Sequence, residues 1–186
     1  MEQHTYPQVA GTDLRQRNTS KAPSADWSNL RKKLPDMAGK RVIVLGSKNG
    51  WLNEQALTAG ALASLGVDPS RASIAAARAA AISSRLRYRL MPTATWPILG
   101  GQYDLIIVPS VGQDNYNVLA NTAHLLRHGH GRIILSGEAD YVQLVESSIY
   151  SSDHRSGSWS ASSLAKLPSG NVMSILRRTR LGGHQH

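Results

Sequence analysis

Cysteine is absent from this chain of 186 residues, which excludes disulfides, thiolate metal sites, iron–sulfur clusters and cysteine nucleophiles together. Phenylalanine is absent as well, and nothing in the chemistry of the chain accounts for that. No apolar run approaches the roughly 20 residues that a membrane-spanning helix requires, and the N-terminal stretch is too polar for a secretory signal. A soluble, cytoplasmic protein is therefore expected, with no membrane partner. Gly-x-Ser-x-Gly, the hydrolase nucleophile elbow, does not occur. His124, His128 and His130 lie near a glycine stop, where imidazoles suit a helix C-terminus. With no Cys or carboxylate beside them, and with His184 and His186 in a polar tail, no metal site is expected.

Apolar residues make up 41% of the chain and charged residues 18%, values of an ordinary globular domain. Twenty-one Lys and Arg against twelve Asp and Glu leave a net charge of +9. The excess sits at the ends: residues 1–41 carry eight basic and four acidic groups, residues 154–186 carry five basic and none acidic, and residues 42–153 carry eight of each. Basic flanks attract RNA, another polyanion or an acidic protein through a screened, sequence-independent field. They also serve simply as solvated tails, and no aromatics interleave with them.

Residues 1–24 are polar and aperiodic and read as a flexible basic arm; residues 25–181 read as one domain, and 182–186 as a disordered tail. Trp27, Leu30 and Leu34 recur at helical spacing until Pro35 and Gly39. Strands are expected at 41–45, 64–68, 86–90, 103–108 and 132–136, and helices at 51–63, 70–83 and 115–127. A short helix over 141–148 follows, then strands at 159–164 and 172–177 joined by Pro168-Ser169-Gly170-Asn171. Strands alternating with helices specify a mostly parallel sheet covered on both faces, a three-layer Rossmann-like α/β sandwich. The last two strands add an antiparallel edge hairpin.

Several strings in this order resemble the class I S-adenosylmethionine-dependent methyltransferases, especially their small bacterial type 11 branch. They are Ala25-Asp26-Trp27, Gly39-Lys40-Arg41-Val42-Ile43 leading to Leu45-Gly46 and Gly50-Trp51, Leu65-Gly66-Val67-Asp68-Pro69-Ser70, Tyr103-Asp104-Leu105-Ile106, and Leu125 to Arg132. The resemblance implies S-adenosylmethionine as cofactor, bound by Gly46, Ser47, Lys48, Gly50, Trp51 and Asp68. In the family the first strand ends in an acidic residue followed by a glycine-rich turn. Here Val44 stands at the acidic position and Lys48 at the middle glycine. Asp68 holds the place of the family's ribose-binding acid, yet it also precedes Pro69 and suits the cap of the next helix. Met91 to Thr95 carries no acid, Pro109 to Asp114 lacks the acidic or Asn-Pro-Pro-Tyr arrangement of the amino- and base-methylating branches, and the aspartate of ribose-methylating RNA enzymes is replaced by Pro109 and Ser110.

Three functions follow. The first is a catalytically silent methyltransferase-like protein that pairs with another protein or with itself. The alternative is an active S-adenosylmethionine-dependent methyltransferase acting on a small molecule or RNA. The third is a repurposed crevice in which Ser47 and Lys48, ahead of a helix, hold an anion. No catalytic residue is singled out by any of them.

Overall fold

The computed structural model describes residues 21–127, 131–152, 159–162 and 164–178. The arm over 1–20, His128, His130 and the tail over 182–186 lie outside the described residues. Five parallel strands form the centre: β1 (Arg41–Leu45), β2 (Ala63–Asp68), β3 (Leu86–Leu90), β4 (Leu105–Val111) and β5 (Arg132–Gly137). Strand β8 (Val172–Arg178) runs antiparallel to β5 and pairs with the short β6 (Trp159–Ala161) and β7 (Ala165–Lys166). The order across the sheet is β3-β2-β1-β4-β5-β8-β6. This is the mostly parallel Rossmann-like sandwich with an antiparallel edge that the alternating pattern specified.

The helices are α1 (Ala25–Lys33), α2 (Trp51–Thr58), α3 (Arg71–Ala80), α4 (Tyr116–Leu119) and α5 (Ala139–Ser152). Among the described residues no helix is long and apolar enough to cross a membrane. Strand β1 is buried from Val42 onward. Its Val42 and Val44 join Trp27, Leu30, Trp51 and Leu52 of α1 and α2 in one apolar layer. Its Ile43 and Leu45 join Ile106, Val108, Leu135 and the α5 residues Val142, Val145 and Ile149 in the other. Asp26 on α1 accepts hydrogen bonds from the amide and hydroxyl of Ser169, tying the first helix to the turn before β8.

Several expectations need correction: the strand expected over 159–164 ends at Ala161 with β7 separate from it, and the strand expected over 103–108 is β4, Leu105–Val111. The expected helix over 115–127 is α4 alone, followed by a 3-10 segment over Ala120–Leu125. There the Thr122 hydroxyl donates to the Leu119 carbonyl at 2.6 Å and shares the acceptor a regular turn would use. Helix α2 stops at Thr58 and α3 at Ala80, several residues early, while α5 extends past both ends of its expected range. The link from β3 to β4, for which no element was expected, holds a 3-10 segment over Thr93–Ile98 that seats Trp96 in the core, its indole nitrogen donating to the Met91 carbonyl at 3.2 Å.

Candidate functional site

In an open parallel sheet, ligands bind beyond the carboxyl ends of the strands where neighbouring strands connect in opposite directions. Here β1 is flanked by β2 on one side and β4 on the other, so that point lies between β1 and β4. A cleft of about 630 Å³ opens there, lined by Gly46 and Lys48 after β1, Asp68 to Ser70 after β2, Thr93 and Trp96 after β3, Ser110 to Asn115 after β4, and Gly137 and Glu138 after β5.

The amides of the turn after β1 are held by β2, by Asp68 and by the turn itself. Gly46 and Gly50 adopt φ of +87° and +83°, and Lys48 lies at +49°, the one non-glycine residue with positive φ among the described residues. The left-handed region costs a side-chain-bearing residue about 1–2 kcal/mol. The amides of Gly46 and Ser47 both donate to the Val67 carbonyl at 2.7 and 3.0 Å, that of Gly50 to the Ser47 carbonyl at 2.9 Å, and that of Trp51 to Asn49 Oδ1 at 3.1 Å. The Lys48 amide donates to Asp68 Oδ2 at 2.9 Å. These amides are therefore engaged, and the turn offers no row of open donors for an anion. The exposed Lys48 ammonium stands 5.5 Å from the centre of the Trp27 ring on α1. An anion cradle formed by Ser47 and Lys48 is not what this geometry provides.

Asp68 is buried, and both its oxygens are in use: Oδ2 takes the Lys48 amide, and Oδ1 takes the Ser70 amide at 2.8 Å. The cap of α3 is Ser70, whose hydroxyl oxygen accepts the Ser73 amide at 3.1 Å. Asp68 thus does not cap the helix as its position suggested; it joins the turns after β1 and β2. Its free lone pairs still face a cleft that Lys48 and Gly46 share.

Of the residues the sequence singled out, Gly46, Lys48 and Asp68 meet in the cleft, while Ser47, Gly50 and Trp51 lie behind it. Ser47 is fully buried, and a Cβ on Gly66 would come within 2.8 Å of its Oγ. Gly50 faces the Tyr88 ring, whose hydroxyl a Cβ would meet at 2.5 Å. Trp51 is buried in the layer that contains Val44. Val44 itself is fully buried and points away from the cleft.

The sequence reading missed the opposite wall. Asn115 clips the loop after β4, with Oδ1 accepting the Gly112 amide and Nδ2 donating to the Ser110 carbonyl, each at 3.0 Å. Exposed Asp114 and Glu138 stand on that wall. Three carboxylates against one ammonium make the cleft a better place for a cation than position 44 suggested. Only the fold brings Asp114 and Glu138 beside Asp68, and no local motif marks them. Among the described residues no group of three or more His, Cys, Asp or Glu is placed to hold a metal.

Tyr88 supports the turn from behind, its hydroxyl donating to the Gly50 carbonyl at 3.4 Å. Burial first, and Glu54 second, raise its phenol pKa well above the ordinary value. A group whose pKa is higher in the folded state contributes stability that is complete below the unfolded pKa of about 10 and is lost as pH climbs above it. Thermal unfolding between pH 9 and 11 should show the midpoint falling, and the fall should be smaller in Tyr88→Phe.

No family model matches the sequence, and no curated protein does. Solved structures do match. A chain from Streptococcus mutans assigned to the S-adenosylmethionine-dependent methyltransferases superposes with a TM-score of 0.66 at 21% identity, over 82% of this chain and 49% of that one. A chain in the complex between the Haloferax volcanii Trm112 methyltransferase activator and a protein assigned as a methyltransferase gives 0.65 at 13% identity, over 96% of each chain. Aeropyrum pernix fibrillarin, solved with natively bound S-adenosyl-L-methionine, gives 0.61 at 11% identity over 77% of this chain and 69% of that one. The present chain spans about half the length of the Streptococcus protein. Its fold is that of the class I methyltransferases.

Proposed function

We propose that this chain keeps the class I methyltransferase fold without methyl transfer and acts as a partner or assembly subunit. One observation carries the reading. The turn that would receive the methionine end of S-adenosylmethionine is closed on itself through Lys48 and Asp68: the Lys48 amide and the Asp68 carboxylate bond to each other, and the Lys48 side chain is drawn onto Trp27. A cofactor reaching Asp68 finds each of its oxygens already engaged, by the Lys48 and Ser70 amides. The acid that would offset the cost is replaced by Val44, which faces the core. A partner is in keeping with the Haloferax neighbour, which was solved with an activator protein.

A second reading rests on the wall formed by Asp114 and Glu138. With Asp68 they give the cleft a carboxylate majority suited to a sulfonium, and an active methyltransferase for a small molecule or RNA would exploit it. The two readings separate in a transfer assay with methyl-labelled S-adenosylmethionine against pooled small molecules, RNA and protein. The silent reading expects incorporation equal to a chain-free control. Incorporation that Asp68→Asn abolishes would establish the enzyme instead.

A further inference from the structure

The charge balance of residues 42–153 hides a segregation. Between Asp68 and Asp104 the sequence has no acidic residue and five arginines, Arg71, Arg78, Arg85, Arg87 and Arg89, with no lysine. The fold gathers four of them. Strand β3 lies at the edge of the sheet, alternating buried Leu86 and Tyr88 with exposed Arg87 and Arg89. Register places Arg87 beside Leu65 and Arg89 beside Val67, and Arg41 on β1 beside Ala63. Side chains of paired residues project to the same face, so Arg41, Arg87 and Arg89 share one surface of the sheet.

Toward the amino-terminal ends of the strands that face is open: Arg41, Arg87 and Arg89 are exposed, and Ala63 and Leu65 are only partly buried. The link from β3 to β4 supplies only the 3-10 segment over Thr93–Ile98, which packs Trp96 toward the carboxyl ends of the strands. A groove of about 870 Å³ remains at the opposite ends, lined by Arg41, Arg78, Arg85, Arg87 and Arg89 together with Tyr103 and containing no carboxylate. It shares no lining residue with the cleft beyond the strand ends. Arg78 is committed, donating to the Tyr88 carbonyl at 2.9 Å and closing the sheet edge. Among the described residues the other four make no ion pair.

We propose that this groove binds the backbone of single-stranded nucleic acid. Three features favour it over an acidic protein. Every cation is an arginine, whose planar fork matches phosphate oxygens in pairs. Arg87 and Arg89 are two residues apart on a strand, about 6.6 Å along it, so they form a regular row rather than a cluster. The third row member, Arg41, lies two strands away. The half-buried Tyr103 ring lies beside Arg41 and Arg89, close enough that their charges act on its phenol. An aromatic face between guanidiniums is a stacking platform for an unpaired base. The site is independent of whether the cleft takes a cofactor.

The test is fluorescence anisotropy of an end-labelled oligouridylate of about twelve nucleotides, long enough to span one such groove, titrated with the full chain from 50 to 200 mM KCl. Arg87→Gln/Arg89→Gln should weaken binding about tenfold and make the slope of log affinity on log salt shallower by about 1.4, two phosphates at roughly 0.7 each. Both side chains are exposed, so the melting temperature should hold within a few degrees. Lys32→Gln/Lys33→Gln, which removes exposed charge from the other flank, should change neither quantity. Three results would overturn the proposal: unchanged affinity and slope in the arginine variant, an equal loss in the lysine variant, or polyglutamate binding as tightly as RNA and with the same dependence on Arg87 and Arg89.

Discussion

Val44→Asp is expected to destabilise the chain by about 4 kcal/mol at neutral pH, the range for an uncompensated buried charge. That is a large part of the 5–15 kcal/mol margin of a typical domain. Val44 is fully buried between β2 and β4, paired with Gly66 and Ile107. Its layer includes Val42, Leu52, Leu105 and Trp51, aliphatic but for the indole, so a carboxylate there has no basic partner. Desolvation would raise the carboxyl pKa above its unfolded value. The sign then follows: the penalty is smallest below the unfolded pKa of about 4 and grows as pH rises toward the folded value. Urea unfolding at pH 4 and pH 7 should show a larger gap from the natural chain at pH 7. An equal, small gap at both would mean that the strand admits water near Val44. The acid found at this position in the family therefore cannot be restored by one substitution, because the surroundings have closed around valine.

Gly137→Ala is expected to cost about 3 kcal/mol, the upper part of the range for forced overpacking. In a domain of this size that lowers the melting temperature by roughly 6–12 °C. A Cβ on Gly137 would collide with the carbonyl oxygen of Val111 and approach its nitrogen to 2.8 Å. Backbone cannot swing aside as a flexible side chain does. The register between β4 and β5 shifts between Val108 and Val111, so that Val111 pairs with Gly137. The bare glycine permits this irregularity, which carries the Asn115-clipped loop and the Glu138 wall of the cleft. Calorimetric melting checks the magnitude, and a change under about 1 °C would show that β4 yields freely.

Strands β1 and β3 fall on their expected residues because short β-branched or alternating runs, bounded by turns, have few other solutions. The carboxyl-terminal hairpin follows from Pro168 to Asn171 for the same reason. The segment from Asn115 to Arg127 misled because its apolar spacing fits a helix, whereas the Thr122 bond to the Leu119 carbonyl tightens half of it into a 3-10 segment, which packs against α5 and the 3-10 segment over Thr93–Ile98. Within the site, Gly46, Lys48 and Asp68 were legible from local strings. Asp114, Glu138 and Asn115 were not, since loops far apart in sequence acquire a common role only when parallel strands align their ends. The arginine groove was written in the sequence as an acid-free window from 69 to 103, and summing charge over a longer stretch cancelled it. The basic excess after residue 153 is not all tail: Arg177 and Arg178 belong to β8, where Arg177 pairs with Arg132 and Arg178 packs 4.8 Å from the Trp159 ring centre.

On the proposed reading the Lys48 ammonium and the engaged Asp68 carboxylate disfavour the cofactor on this side of the cleft. Replacing Lys48 with glycine keeps the backbone amide that Asp68 accepts but removes the ammonium, which repels the cofactor's own; the cost of the positive φ and the contact with Trp27 go with it, each worth about 1 kcal/mol, so the variant should be as stable as the natural chain. Calorimetric titration of both with S-adenosylhomocysteine is the most direct test. The natural chain should give no saturable heat below about 1 mM, and Lys48→Gly should bind at least about tenfold tighter, a gain of roughly 1.4 kcal/mol. Micromolar binding by the natural chain would contradict the account.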